Sequence, residues 1–502
     1  MYSILRSLQI RLFTGMLILT FGVNSCMSIQ KNPVTGQKRA FAYSWQQEVE
    51  IGQQADGEVV EYFGIYDDAE LSAYLTAIGE RVLAESHLRR PDADRQFRET
   101  PFTFRVVDSP VVNAFALPGG FVYFTRGIIA HMNNEAQLAM VMGHEIGHVA
   151  ARHSSQRALT QQAGQFLLIG GAIIGQEALG IPAGNIMQLG GTAAQLLFLS
   201  YSRDAERESD KLGVEYSALA GYAAGDGSAF FRVIQRVSDK GGGGSLPFYL
   251  SSHPDPGDRE AAVESMAQEW REKGTDMDYR GRDEYLAKID GIIIGENPRN
   301  GFVDNNVYYH PDLKFRFSVP AGWMLQNDRS QVVTYTESQD GVQIMNIDSE
   351  ASSARQTVDK VLGSEGITMT DRSDLRINGL VAHRAMADAS DQQGNPLKVV
   401  LHGIEYDGRV YRIISYTTAA RYQTYLPAFI SQSESFNTLT DPARLNVQPS
   451  KIRIVTADRN APFRQFLPSK LPMGMDAEDL AIINQVELDT QIQRGQKIKI
   501  PR

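Results

Sequence analysis

His144, Glu145 and His148, within V-M-G-H-E-I-G-H-V-A-A-R-H from Val141 to His153, are the residues whose types and spacing could do chemistry. On a helix, two histidines four positions apart share one face, about 6 Å apart along the axis at ~1.5 Å rise per residue. Both imidazoles can then reach one ion, which is the spacing of zinc ligands. Glu145 is rotated about 100° from His144, too far round to be the natural third ligand. It is placed to hold a water beside the ion, which makes it a candidate general base. The flanking Leu138, Met140, Val141, Met142, Ile146, Val149 and Ala150 are apolar nearly all the way round, so the helix is predicted to lie in a core. Two histidines and a glutamate buried there without a partner would cost several kcal/mol, an objection that a divalent cation removes.

A third ligand is offered by S-R-D-A-E-R-E-S-D, Ser202 to Asp210. On a helix Glu206 and Asp210 stand one turn apart on the same face. Glu206 can ligate zinc while Asp210 orients a ligating histidine through its other ring nitrogen.

The elements that must position these residues are partly legible. Asn134 is an expected N-cap for a helix running past Arg152. Gly143 and Gly147 interrupt it at about 1 kcal/mol each against alanine, so another backbone or a bound substrate is expected to approach closely there. Helices are predicted from Trp45 to Gly52, Ala69 to Leu83, Arg259 to Lys273 and Arg282 to Ile294, and a strand from Phe102 to Val107. Val111 to Leu117 and Phe121 to Thr125 flank Pro118-Gly119-Gly120 and read as a hairpin. Asn113, Ala114 and Phe115 are then either a sheet edge that takes substrate as an added strand, or part of a purely structural hairpin. The apolar run Gln165 to Leu199 is a buried helical pair, a membrane-touching segment or a lid near the site.

The chain has 502 residues, 42% hydrophobic and 22% charged, which is ordinary composition for several domains. Its net charge is -10 and it has no long basic run, so nucleic acid is not an expected partner. The single cysteine excludes an intramolecular disulfide and a Cys-based metal site, leaving nitrogen and oxygen ligands. That cysteine is Cys26. It follows Arg6, Arg11 and an apolar Leu12 to Val23, so residues 1–25 read as a signal peptide whose V-N-S-C end resembles a bacterial lipobox. The expectation is an exported chain on the periplasmic face of a bacterial membrane, an outer-membrane lipoprotein anchored by lipid at Cys26.

G-H-E-I-G-H (Gly143 to His148) together with S-R-x-x-E-x-x-x-D (Ser202 to Asp210) resembles metallopeptidase family forty-eight, the gluzincins that include the CAAX prenyl proteases and periplasmic quality-control peptidases. N-P-V-T-G (Asn32 to Gly36) and N-A-F-A-L-P-G-G (Asn113 to Gly120) are similar to the periplasmic branch, and the resemblance spans about residues 30 to 265. It implies a zinc endopeptidase with one Zn2+ per chain, His144, His148 and Glu206 as ligands and Glu145 as base. The expected substrates are unfolded or misassembled envelope proteins. In that branch an S-H-P-x-x-x-x-R element like Ser252 to Arg259 lies beside the metal. His253 could fill the open coordination position and hold the enzyme closed, or donate to the oxyanion; Arg259 could do the second job or anchor the loop that follows the Gly241 to Gly244 run. The rival expectation is an envelope chaperone, assembly or wall-binding factor with a gated or vestigial site.

The fold class expected is α+β: a mainly helical zincin-type peptidase domain with a small edge sheet over 30–300, then a compact α+β domain over 305–442. Phe315 to Trp323, Val399 to Tyr406 and Val410 to Tyr416 alternate like strands there, and the region resembles the PsbP-like fold. Residues 450–502 have a predicted strand-helix-helix-strand order. L-A-I-I-N-Q-V (Leu480 to Val486) and I-Q-R-G-Q-K-I-K-I-P (Ile492 to Pro501) resemble a lysin motif, which makes peptidoglycan a candidate partner. Asn460-Ala461-Pro462-Phe463 stands where that motif has its usual G-D-T-L turn.

Overall fold

The computed structural model describes residues 28–167, 201–240, 253, 259–391 and 394–502. The signal segment with Cys26, most of the apolar run to Leu199 and the Gly241 to Gly244 loop lie outside the described residues. No helix among the described residues is long and apolar enough to cross a membrane.

The peptidase-like region is built around one helix, α4 below, in which every residue from Glu135 to Ala151 is buried. A hairpin of β1 (Ser28–Lys31) and β2 (Lys38–Phe41) precedes α1 (Trp45–Phe63) and α2 (Ala69–Ala84). The first helix runs well past the expected Gly52. Its N-terminus is fixed by a reciprocal cap in which Gln47 N donates to Ser44 Oγ and Ser44 N donates to Gln47 Oε1. A three-stranded sheet follows, in spatial order β3 (Thr103–Val107), β5 (Phe121–Thr125), β4 (Ala114–Leu117). The β4–β5 pair is the expected antiparallel hairpin, β3 runs parallel to β5, and β4 is an edge. Asn113 lies just ahead of that edge, its backbone exchanging bonds with Thr125.

The chain then enters α3 (Arg126–His131) and α4 (Glu135–Ala151). The Asn134 side chain caps α4 by accepting from Gln137 N. The helix does not run past Arg152: that residue adopts the left-handed conformation (φ 61°), and a new helix, α5 (His153–Leu167), starts at once. Among the described residues α6 (Arg203–Leu219), α7 (Ser228–Lys240), α8 (Arg259–Glu272) and α9 (Arg282–Ile289) complete this region. The last is shorter than expected, because Ile292 to Ile294 pair with the C-terminal segment instead.

Residues 302–439 hold a seven-stranded antiparallel sheet, in spatial order Thr368–Ile377, Leu380–Ser390, Pro396–Tyr406, Arg409–Thr418, Gly341–Ile347, Gln331–Tyr335 and Met324–Asn327. The helix α10 (Ala354–Leu362) covers one face, with Val358 against Ala385, Val399 and Leu401. On the opposite face α11 (Tyr422–Glu434) sets Gln432 against Thr334 and Ser433 against Gln343.

The C-terminal segment pairs Ile452–Thr456 antiparallel with Lys497–Pro501 and carries one helix, α12 (Ala477–Asn484). The first of the two expected helices is only a 3-10 turn, Phe463–Phe466. Pro462 precedes it and Pro468 and Pro472 follow, and proline both removes donors and disfavours helix just before it.

Candidate active site

Two helices cross at glycines. A Cβ on Gly143 would lie 2.9 Å from Gly213 O, and one on Gly213 would lie 2.9 Å from His144 N. The close approach expected of Gly143 is therefore made by another backbone, that of α6, while Gly147 lies against Leu212 and Ser209. This crossing brings Glu206 and Asp210 over His144 and His148. The remaining members, His253 and Arg259, come from the chain around the start of α8.

The donor atoms converge. His144 Nε2 is 3.0 Å from His148 Nε2 and 3.6 Å from Glu206 Oε2, and His148 Nε2 is 3.5 Å from Glu206 Oε1. His253 Nδ1 lies 3.4 Å from His144 Nε2 and 3.0 Å from Glu206 Oε1. One such atom from each of the four residues lies within 4.8 Å of the others, and all four side chains are buried. Four ligands about 2.0–2.1 Å from a tetrahedral ion stand about 3.3 Å from one another, and these five separations are of that size. The donor set, three imidazoles and a carboxylate with no thiolate, also fits zinc.

Glu145 stands on the far side of His253, its Oε1 3.7 Å from His253 Nε2. That oxygen is buried without a hydrogen-bond partner among the described residues. Burial pushes the Glu145 carboxyl above the usual glutamate range, with His253 and His144 pulling the other way. Burial also acts on Glu206, but the charge and hydrogen bond of His253 outweigh it and hold that carboxyl low. Burial, reinforced by His144, keeps the His148 imidazole well below the usual histidine range and hence neutral, as a ligand must be.

Asp210 Oδ1 lies 2.9 Å from His144 Nδ1, and Arg259 grips the same carboxylate with Nε at 2.7 Å and Nη2 at 2.6 Å. Although burial opposes ionisation, Arg259 and His144 hold Asp210 down at about 2. Arg259 Nη1 also reaches Glu206 Oε2 at 3.0 Å, and its guanidinium lies over the Phe231 ring. Arg259 thus spans the Glu206 and Asp210 carboxylates of α6.

The model of the family described as Peptidase family M48 matches residues 70–267. That stretch is similar to the M48 metallopeptidases. Its curated relatives include the putative beta-barrel assembly-enhancing protease of Vibrio cholerae, 32% identical over 243 residues, which covers 45% of this chain and 46% of that protein. The beta-barrel assembly-enhancing protease of Escherichia coli K12 is 27% identical over 272 residues, 53% of each chain. The mitochondrial metalloendopeptidase OMA1 of Bos taurus is 27% identical over 283 residues, 52% of this chain and 51% of that one. The chain spans about half the length of the curated relatives it matches. Among solved structures, the cyanobacterial PsbP of Synechocystis sp. PCC 6803 aligns with 26% of this chain and 91% of its own at 15% identity, with a TM-score of 0.22, too low to assign a fold.

Around this site the structure adds residues that sequence reasoning gave no role. Tyr201 stacks on His148, ring centroids 4.1 Å apart, and its hydroxyl meets Ser154 Oγ at 3.0 Å. His153 stands behind His148. The R-H pair right after the helix was the signal for the second of these; nothing local marks Tyr201.

Proposed function

We propose that this chain is a zinc-dependent endopeptidase of the bacterial cell envelope that hydrolyses peptide bonds in misfolded or misassembled envelope proteins. The observation that carries this reading is the close spacing of His144, His148, Glu206 and His253 with a buried, unpartnered Glu145 oxygen beside it. The names of the bacterial relatives, beta-barrel assembly-enhancing proteases, favour the envelope setting and the substrate class. Attachment through lipid at Cys26, on the periplasmic side of the outer membrane, belongs to the same reading.

His144, His148 and Glu206 are the zinc ligands in this proposal. Zinc, when bound, supplies a Lewis acid that polarises the scissile carbonyl and acidifies the attacking water. Glu145 takes that water's proton and returns it to the leaving amine, a task suited to a carboxyl whose burial raises its proton affinity. Asp210 accepts from His144 Nδ1–H and fixes that ring, while Arg259 holds Asp210 and Glu206 in register.

His253 favours a second, compatible reading, in which the peptidase is gated. Its Nδ1, 3.4 Å from His144 Nε2 and 3.0 Å from Glu206 Oε1, would supply a fourth ligand where a catalytic zinc site keeps a position open. Substrate access then requires His253 to withdraw, and the resting chain behaves as the assembly factor or chaperone of the rival reading. Residues 450–502 as a lysin-motif-like peptidoglycan-binding element form part of that rival, tested by sedimentation with peptidoglycan.

The deciding experiment is zinc quantification on the purified protein together with turnover of an unfolded outer-membrane protein, with and without chelator. One zinc per chain and chelator-sensitive hydrolysis are expected. Glu145→Gln should keep the zinc and lose turnover by a factor of at least about 100; wild-type turnover in that variant removes Glu145 from the mechanism. His253→Ala should raise basal hydrolysis if it gates, and a fall instead assigns it to the oxyanion.

A further inference from the structure

The two ligand imidazoles of the proposed zinc site are supported from behind in different ways. His144 Nδ1 meets the carboxylate of Asp210 directly. His148 Nδ1 instead lies 3.0 Å from another ring nitrogen, His153 Nδ1, and His153 Nε2 lies 3.1 Å from Glu208 Oε2.

Local backbone geometry creates this contact. In an uninterrupted helix, residues five apart point about 140° away from each other, so His153 would face away from His148. The left-handed Arg152 breaks the helix and turns the chain back. Arg152 is held in that conformation by three partners: its guanidinium donates to Glu48 Oε1, to Gln30 Oε1 and to Tyr43 O. His153 therefore begins a new helix with its ring edge-on to His148, centroids 5.0 Å apart at 73°, and only 4% of its surface exposed.

Proton accounting leaves one arrangement. Two ring nitrogens 3.0 Å apart need one donor and one acceptor. As a ligand, His148 keeps its Nε2 lone pair for the metal, so its proton sits on Nδ1. His153 Nδ1 must then accept, which puts the His153 proton on Nε2, facing the Glu208 carboxylate. Ser209 Oγ, 3.3 Å from the same His153 Nδ1, can only add a second donor to that acceptor.

We propose that His153, oriented by Glu208, is a positioning residue that locks His148 in its Nδ1–H tautomer and aims Nε2 at the zinc. The inference rests on the zinc reading above. It assigns the ion two unequal supports, one a buried carboxylate clamped by arginine and the other an imidazole whose own carboxylate is partly exposed.

The test uses the full chain loaded with zinc, zinc affinity by competition with a chromogenic chelator, and the visible spectrum of the cobalt-substituted protein. His153→Leu should weaken zinc binding about 10- to 100-fold and change the cobalt spectrum, the range typical of lost outer partners. His153→Asn, whose Oδ1 stands where Nδ1 stood, should restore most of both. His153→Gln, which places its amide at the Nε2 position, should not. Glu208→Gln should cost less than about 10-fold, because its carbonyl still accepts from His153. Equal zinc affinity in the Asn and Gln variants overturns the proposal, even if His153→Leu fails to fold. So does a His153→Leu protein with wild-type affinity and cobalt spectrum. Absence of zinc from the wild type, by contrast, refutes the underlying metal reading.

Discussion

Residues 302–439 and residues 452–501 follow one another in the chain yet relate to the peptidase region in opposite ways. The first region has hydrophobic centres of its own, with Tyr308, Phe315, Phe317 and Phe436 packed on Val332, Ile404 and Ile413, and a second group around Val358 and Leu401. The second has none. Its Leu480, Ile483, Ile498 and Ile500 belong to the same core as Met140 and Ile146 of α4. About fifty residues bury little surface and are marginal alone, and here the segment shares a neighbour's interior.

Polar contacts tell the same story. Lys499 is buried, and its amine donates to Ala130 O, Met132 O and Ile483 O. Asn133 donates to Asn484 O, and Gln485 reaches both His131 O and Gln137. The C-terminal segment thus fastens the turn from which α4 starts, while Asn32 of the N-terminal hairpin caps its far end at Ala151 O. The chain leaves the peptidase region where it later returns: Ile452 N donates to Ile292 O, Gly291 N to Ile452 O and Ile294 N to Ser450 O. The larger β region is an insertion between two parts of one core. Sequence adjacency alone would group the two C-terminal regions together; burial separates them.

That contrast can be broken by cutting. Truncation after residue 449 should abolish cooperative folding and zinc binding, whereas replacing residues 296–448 with a short Gly-rich turn should keep the zinc and a single melting transition. Calorimetry and metal content on both proteins decide it, and a truncated chain that still binds zinc tightly ends the shared-core reading. Lys499→Met, which leaves three buried carbonyls without their donor, should cost about 2–4 kcal/mol in denaturant unfolding.

A finer test uses pH. Burial pushes the Lys499 amine well below the usual lysine range. The folded chain therefore holds that proton less tightly than the unfolded chain does, and this group's contribution to stability rises with pH where the folded chain releases it first, up to the unfolded value near ~10.4. Wild type should gain stability relative to Lys499→Met between about pH 8 and 10; parallel curves remove the effect. The smallest change is expected from Lys240→Ala, which loses partly exposed pairs with Asp476 and Asp479 for less than about 1 kcal/mol.

Much of the site is legible before any coordinates. The H-E-x-x-H spacing, the apolar surround and the one-turn spacing of Glu206 and Asp210 are properties of a single helix, and the structure brings those residues together with His253 and Arg259. The glycines announced a close approach without saying what approaches. Helix period also misled in two places, by carrying α4 through Arg152 and by granting the C-terminal segment a second helix across its prolines.

The sequence by itself determined which side chains could bind an ion and which helix would be buried, because these follow from residue type and local period. Tertiary structure alone decided that Gly143 meets Gly213, that a left-handed Arg152 sets His153 behind His148, and that Lys499 reaches the carbonyl of Ala130, 369 residues earlier. The reason is physical: an amphipathic pattern states which face must be covered, while what covers it depends on shape and hydrogen bonding between segments far apart in the chain.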